Sequence, residues 1–339
     1  MGLAASEGRG RTLNYVGGKV AIGHSIDSNA SKNLGKLGMP QHKCKHRKSF
    51  DALRADPFQG HCLANFGNTQ VKVDMDQILP GLQKTPFSSN YETAMFFEGV
   101  SHREALARLR FLRDNRRMGL ILGDSGTGKS LLLKVFEKEC RRQCCSVAAV
   151  NLLGISPREF YWQVASQLDA PVRLEDDQLR LFRQVSDRIA VNQLQNSSTV
   201  VLLDDAHQAD PDLLSQVFRL TQIDAAGPNP LTLVLASTES KSAQLGEQLL
   251  GQIDLRIDLE AWDELDTTGY LQLAQVEAGC QQPLFHEDAI SEIYQLSSGI
   301  PRRVNRLADY SLLNGASSEL IDAETIRTAF AALSPPCRA

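Results

Sequence analysis

The chain has 339 residues, 42% apolar and 22% charged, a composition ordinary for a globular protein and long enough for two packed units. Its formal charge of −4 excludes a protein that coats nucleic acid by charge alone, and no run approaches the roughly 18 apolar residues that a membrane-spanning helix needs. Seven cysteines, two of them adjacent at Cys144 and Cys145, make a poor disulfide framework and point to a reducing cytoplasm.

The charge is unevenly spread. Residues 1–55 hold ten basic and three acidic residues, a local charge of +7, which leaves −11 for the remainder. Residues 1–85 are rich in Gly, Ser, Asn and Lys without a sustained apolar period, and read as a basic, disordered N-terminal extension. Within it His42, Cys44, His46, His61 and Cys62 are zinc-ligand types. They lack the paired spacings of structural zinc sites, so a solvated basic tail is the better reading.

Order is predicted from residue 86. "SHREALARL" opens with Ser101 and places Glu104 three residues on, the spacing of a reciprocal capping box, before apolar residues at helical intervals. A short apolar strand at 118–122 leads into a Gly-rich loop, and "KSLLLKVFEKECRRQ" reads as the helix behind it. "CSVAAVNLL" is a strand. "SPREFYWQVASQL" is a helix with Ser156 as cap, Pro157 in its first turn and Glu159 closing the box. Its aromatic stretch "EFYWQV" has the spacing of a packed helix face rather than of a pore loop.

A helix over about 175–195, the strand "STVVLLDD", a helix over 211–222, the strand "LTLVLAST", a helix over 241–250 and the strand "IDLRIDL" complete the alternation. Short, continuous Val/Leu strands between helices imply an α/β fold with a parallel sheet buried on both faces, over residues 86–261. From Trp262 strand signals vanish. Helical patterns near 263–279, 286–297, 301–314 and 322–333 predict an all-helical unit over 262–339.

The chemistry is concentrated in "ILGDSGTGKS". Gly123, Asp124, Ser125, Gly126, Thr127, Gly128, Lys129 and Ser130 fit G-x-x-x-x-G-K-[ST] at every fixed position, between a strand and a helix. Such a loop turns successive backbone N–H groups inward, forming an anion site at a helix N-terminus. Lys129 can reach β- and γ-phosphates, and the Ser130 hydroxyl can ligate Mg²⁺. An independent acidic site follows in "TVVLLDDAHQ". Four apolar residues, Val200 to Leu203, deliver Asp204 to the carboxyl edge of the sheet, where it can hold Mg²⁺ through water. Asp205 is placed to polarise an attacking water. It is a methylene shorter than the more usual Glu, which makes slow turnover an open outcome.

With these two motifs in one sheet the sequence is that of a P-loop NTPase. Over residues 86–333 it resembles the AAA+ superfamily, and within it the ATPases similar to general secretion pathway protein A. The resemblance rests on "TPFSSNYETAMFFEGVSHREALARL", on "VVLLDDAHQA" and on "SSGIPRRVNRLAD". Transposition ATPases of the TniB/TnsC type share much of it. The resemblance implies a C-terminal lid in which Arg302 of "GIPRRVN" is the sensor 2 arginine, reaching the γ-phosphate. Thr238 of "LVLASTES" stands at the sensor 1 position, with Ser237 nearly as good a candidate. Arg256 matches an arginine finger supplied to a neighbouring subunit, whereas Gln252 stands where the group usually carries another Arg. The secretion proteins continue into a membrane span and a peptidoglycan-binding region that are not found up to Ala339.

ATP and Mg²⁺ are therefore the expected ligands, with adenine held by backbone near Phe97–Val100, and a homo-oligomer acting on a protein partner is the expected form. Three functions stay open: a partner-directed ATPase, an ATP-gated DNA-binding adaptor of the transposition type, and a nucleotide switch with negligible turnover.

Overall fold

The computed structural model describes residues 63–66, 69–72, 86–87, 96–223, 230–280, 282–314 and 320–333. The cysteine and histidine cluster at 42–62 and the basic segment 1–55 lie outside these residues. Within the segment expected to be without elements, β1 (Leu63–Phe66) and β2 (Thr69–Lys72) pair as an antiparallel hairpin.

The alternation predicted from 100 onward is present. In chain order come α1 (Val100–Asn115), β3 (Met118–Leu122), α2 (Lys129–Arg142), β4 (Ser146–Asn151), α3 (Pro157–Gln167), α4 (Gln178–Leu194) and β5 (Thr199–Asp204). They are followed by α5 (Pro211–Thr221), β6 (Leu231–Ser237), α6 (Glu247–Leu250) and β7 (Leu255–Asp258). Among the described residues the large sheet has the order β4-β5-β6-β3-β7 and every pairing is parallel. β6 is thus inserted between the two motif-bearing strands, and Leu122 pairs with Ser237 while Leu203 pairs with Leu235. That register brings the ends of β3, β6 and β5 level at one edge, where ligands of such sheets bind.

Continuous apolar strands are explained by burial on both faces. Val201, Leu203, Leu233 and Leu235 point to the side covered by α3, α4 and α5, where Phe160, Tyr161 and Val185 are fully buried. Val200, Leu202, Val234 and Ala236 point to the other side, covered by α1 and α2 through Leu109, Leu132 and Phe136. Fully burying side chains of this size contributes about 1.5–3 kcal/mol each before entropy is counted. The aromatic pair Phe160–Tyr161 is core, as its spacing requires.

The box at Ser156 is formed. The Ser156 hydroxyl accepts from the Glu159 N–H at 3.3 Å, and the Glu159 carboxylate accepts from the Ser156 N–H at 2.8 Å. The box expected at Ser101 is not. The cap of helix α1 lies two residues earlier, at Gly99, and the Val100 N–H donates to the Asp266 carboxylate at 3.1 Å. Ser101 Oγ instead accepts from the Glu260 N–H, and Glu104 turns to Arg108. A tertiary acceptor replaces the local one, which no spacing rule foresees. The helix expected over 241–250 is also revised: Glu239–Leu245 is a 3₁₀ helix, and Gly246 at φ +79° separates it from α6.

The C-terminal helices are α7 (Glu264–Glu277), α8 (Glu287–Ser297), α9 (Pro301–Asn314) and α10 (Ala323–Leu333). They bury a separate core of Trp262, Leu271, Ile293, Val304, Leu307 and Ile326. Phe87 and Phe97, which precede α1, pack into this core rather than under the sheet.

Candidate functional site: the phosphate loop and the sheet edge

Between β3 and α2 the chain makes two left-handed turns, with Gly126 at φ +99° and Gly128 at φ +100°. A side chain would be strained at both. Space forbids it as well: a Cβ on Gly128 would lie 2.9 Å from His102 Nε2, and one on Gly126 3.0 Å from both Arg302 Cβ and Ile300 Cγ2. The loop is pressed between α1 and the first turn of α9. His102 Nε2 donates to the Thr127 carbonyl at 2.9 Å. On the other side the Arg302 N–H donates to the Gly126 carbonyl at 3.2 Å, and the Arg302 guanidinium to Ser125 Oγ at 3.3 Å.

Lys129 opens α2 and is buried. Its ammonium donates to the Gly123 and Asp124 carbonyls, both at 2.8 Å. Burial lowers its pKa, while Asp204, Asp205 and Asp124 pull it back up. Asp204, at the end of β5, is bonded by the Ser130 hydroxyl and by the Asp205 N–H at 2.9 Å. Burial raises its pKa and the Ser130 bond opposes that rise. A hydroxyl and a desolvated carboxylate meeting beside a buried ammonium are the donor set for a hard divalent cation that also touches phosphate oxygens. The residues therefore fit Mg²⁺.

Asp205 departs from strand geometry at φ +51° and ψ +37°, which turns the chain back over the sheet edge. Its carboxylate accepts from Asn151 Nδ2 at 2.9 Å, and the Asn151 amide is oriented by accepting from the Leu153 N–H at 2.8 Å. Asn151 pairs with Asp204 in the β4–β5 register, so the two strands place acid and amide side by side. Thr238, the first residue past β6, has its hydroxyl buried without a hydrogen-bond partner among the described residues. A buried hydroxyl left unpaired costs about 1–3 kcal/mol, so a ligand that supplied the missing bond would recover it.

Lys129, Asp205, Thr238 and Arg302, which come from four elements, line one cavity of about 330 Å³ together with His207. A neighbouring cleft of about 500 Å³ shares Ser130, Asp205 and Arg302 with it. Together they span the range of small-ligand sites. Ser237 lies deeper, fully buried, with its hydroxyl on the Thr238 carbonyl, which leaves Thr238 as the residue facing the cavity. Arg256 does not line it. On edge strand β7 it is about half exposed and binds Glu239 at 2.8 Å and Asp258 at 2.6 Å.

Three polar side chains at this edge are missing from the sequence reading: Asn151, His207 and His102. Asn151 and His207 stand at or just beyond strand ends, a positional signal that was available once the strands were drawn. His102 sits on a helix face, and only the fold shows that this face meets the loop.

A parallel sheet of this strand order, with the loop, a strand-end acid pair and a helical lid closing over them, defines a P-loop AAA+ fold. Residues 112–245 match the AAA domain family. The chain is similar to General secretion pathway protein A of Aeromonas hydrophila, with 27% identity over 238 residues. That match covers 69% of this chain but only 43% of the relative, so well under half of the relative's length is represented. Among solved structures the ORC1 protein of Aeropyrum pernix, in complex with DNA, aligns with a TM-score of 0.56 at 14% identity over 74% of this chain and 70% of that one. The ORC2 protein of the same organism, in its ADP form, gives 0.55 at 14% identity over 74% and 73%. At these identities the likeness is one of fold. Among the described residues no helix is long and apolar enough to cross a membrane.

Proposed function

We propose that this chain binds Mg-ATP at the loop, hydrolyses it, and passes the state of the γ-phosphate to a partner through the lid. One observation carries the reading: four side chains that the loop, β5, β6 and α9 present separately converge on one cavity. Lys129 exchanges its two loop carbonyls for phosphate oxygens, which bear more charge. Ser130 and Asp204 hold the metal, which when bound neutralises charge on those oxygens. Asp205 accepts the proton of the attacking water, once Asn151 lets its carboxylate turn toward it. The Thr238 hydroxyl, covered before the nucleotide enters, turns to donate to the terminal phosphate, and Arg302 grips it from the lid.

Loss of that phosphate removes the ligand shared by Arg302 and the loop, which loosens α9 from Gly126 and moves the lid. For the base, Phe97 packs against Trp262 and Tyr270, and the nearby His102 Nδ1 and Trp262 Nε1 are buried without partners among the described residues. These groups support a base-binding cradle beside the backbone of 97–100. Arg256 would act in a neighbouring copy of the chain, which makes a homo-oligomer part of the proposal. A protein partner is favoured by the likeness to the secretion protein.

The test is phosphate release from the purified chain with ATP and Mg²⁺, with and without duplex DNA, beside Lys129→Ala and Asp205→Asn. Turnover that is lost in both variants and indifferent to DNA supports a partner-directed ATPase. Stimulation by DNA would transfer the assignment to a DNA-binding adaptor. A specific contact favours a second reading, a slow nucleotide switch: Asn151 already occupies the Asp205 carboxylate. It predicts tight ATP binding with no phosphate release under either condition.

A further inference from the structure

We infer that His207 is a substrate-contacting residue of this site, a neutral imidazole whose Nε2–H donates to the terminal phosphate while its Nδ1 anchors Thr238. The inference rests on the nucleotide reading above and goes beyond it, because no sensor, metal or phosphate-loop position accounts for this side chain.

Geometry comes first. The left-handed turn at Asp205 starts a short 3₁₀ segment, Ala206–Gln208, whose Gln208 N–H closes on the Asp205 carbonyl at 2.8 Å. The turn carries His207 across the end of β5 toward the end of β6, into the wall of the cavity that also holds Lys129 and Thr238. There the Thr238 N–H lies 3.4 Å from His207 Nδ1.

That contact assigns the proton. A backbone N–H can only donate, so Nδ1 must accept and carries no hydrogen. The neutral ring then has its proton on Nε2. Protonating Nδ1 would destroy the bond to Thr238, and burial disfavours the charged ring. Among the described residues Nε2 makes no hydrogen bond, yet it is not sealed among the buried unpartnered atoms. Because His207 lines the cavity, Nε2 is available there as a donor.

A donor cannot accept the proton of water, so His207 is not the general base, and that role stays with Asp205. What Nε2–H can do is bond an oxygen on which charge develops, next to the unpartnered Thr238 hydroxyl. The Nδ1 bond has a second effect. It ties the backbone of Thr238 to the segment that bears Asp205, so the groups on the two strand ends move as one.

The two nitrogens can be tested separately. In His207→Asn the side-chain oxygen can still accept from Thr238, but nothing reaches the phosphate. In His207→Gln the longer amide can reach the phosphate, but the anchor is lost. Turnover at saturating ATP is expected to fall about a hundredfold in the Asn variant, with partial rescue in the Gln variant. ADP affinity and the thermal midpoint should be unchanged in both. The ratio of ATP to ADP affinity, measured by calorimetry, should fall in the Asn variant whether or not the wild type releases phosphate. A wild type without turnover would thus defeat the hydrolysis reading and leave this one still testable. An Asn variant with wild-type turnover and an unchanged affinity ratio would overturn the inference. So would losses that track the thermal midpoint, or ¹⁵N imidazole shifts placing the proton on Nδ1.

Discussion

The two ends of the central sheet are made by the same strands and are built in opposite ways. At the amino ends charged groups are paired. Arg117 meets Asp254 at 3.1 Å, the other oxygen of Asp254 accepts from the Met118 N–H at 2.8 Å, and Arg110 and Arg113 both bind Glu139. At the carboxyl ends Thr238 Oγ1 and His102 Nδ1 are buried without partners among the described residues, and a buried ammonium rests on two carbonyls. Folding alone would favour the first arrangement everywhere. Unmet hydrogen-bonding capacity gathered at one edge is what a ligand completes, so the same energetic rule marks the stable end and the working end. If that is right, substitutions at the working end should change nucleotide chemistry more than stability, and those at the other end the reverse.

The largest effect is expected at Lys129. Lys129→Ala should lower turnover on the order of a thousandfold and weaken ATP binding, because one buried cation serves the phosphates in both the ground and transition states. Its thermal midpoint should stay near that of the wild type, since the ammonium hydrogen-bonds only loop carbonyls; a large drop would mean that Lys129 belongs to the framework. Asp205→Asn should lose about two orders of magnitude in turnover while still binding ATP. Equal losses of affinity and rate in that variant would break the distinction between proton acceptor and binder. Arg302→Ala should cost about tenfold in the preference for ATP over ADP, the worth of one charge-assisted bond of roughly 1.4 kcal/mol. An unchanged ratio would reduce Arg302 to a lid-to-loop strut.

Much of this contrast was legible in the sequence, and the remainder was hidden for a physical reason. The phosphate loop, Asp204 and the buried strands are local patterns: fixed spacing, a run of four apolar residues, glycine where φ is positive. The helices over 264–333 were placed to within a residue or two by period alone. What failed was tertiary substitution for local bonding. Ser101 and Glu104 have the spacing of a box, but a carboxylate 166 positions away caps that helix instead. Asn151 and His207 escaped because their meaning depends on strand order. Only when β5 lies between β4 and β6 do an Asn on one side and a Thr on the other frame the acid pair.

The smallest effect should come from the amino end, and it carries a pH signature. Glu139 accepts from Arg110 and Arg113, and these bonds, chiefly the one to Arg110, hold its carboxyl below its ordinary value of 4.5. The unfolded chain therefore binds more protons than the folded one between those two values. The contribution is complete above pH 4.5 and drains away as pH falls through the folded-state value. Glu139→Gln should then destabilise the protein near neutral pH by about 1–2 kcal/mol, because Arg110 loses its carboxylate and the nearly buried Arg113 keeps only Asp114. Denaturant unfolding of the two proteins near pH 7 and well below 4.5 should show the gap closing in acid. A gap of constant size would mean that packing, not charge, holds Glu139. A change in ATP affinity in this variant would be more damaging, because the distal pairs would then reach the nucleotide through α2 and the two ends could no longer be treated as separate.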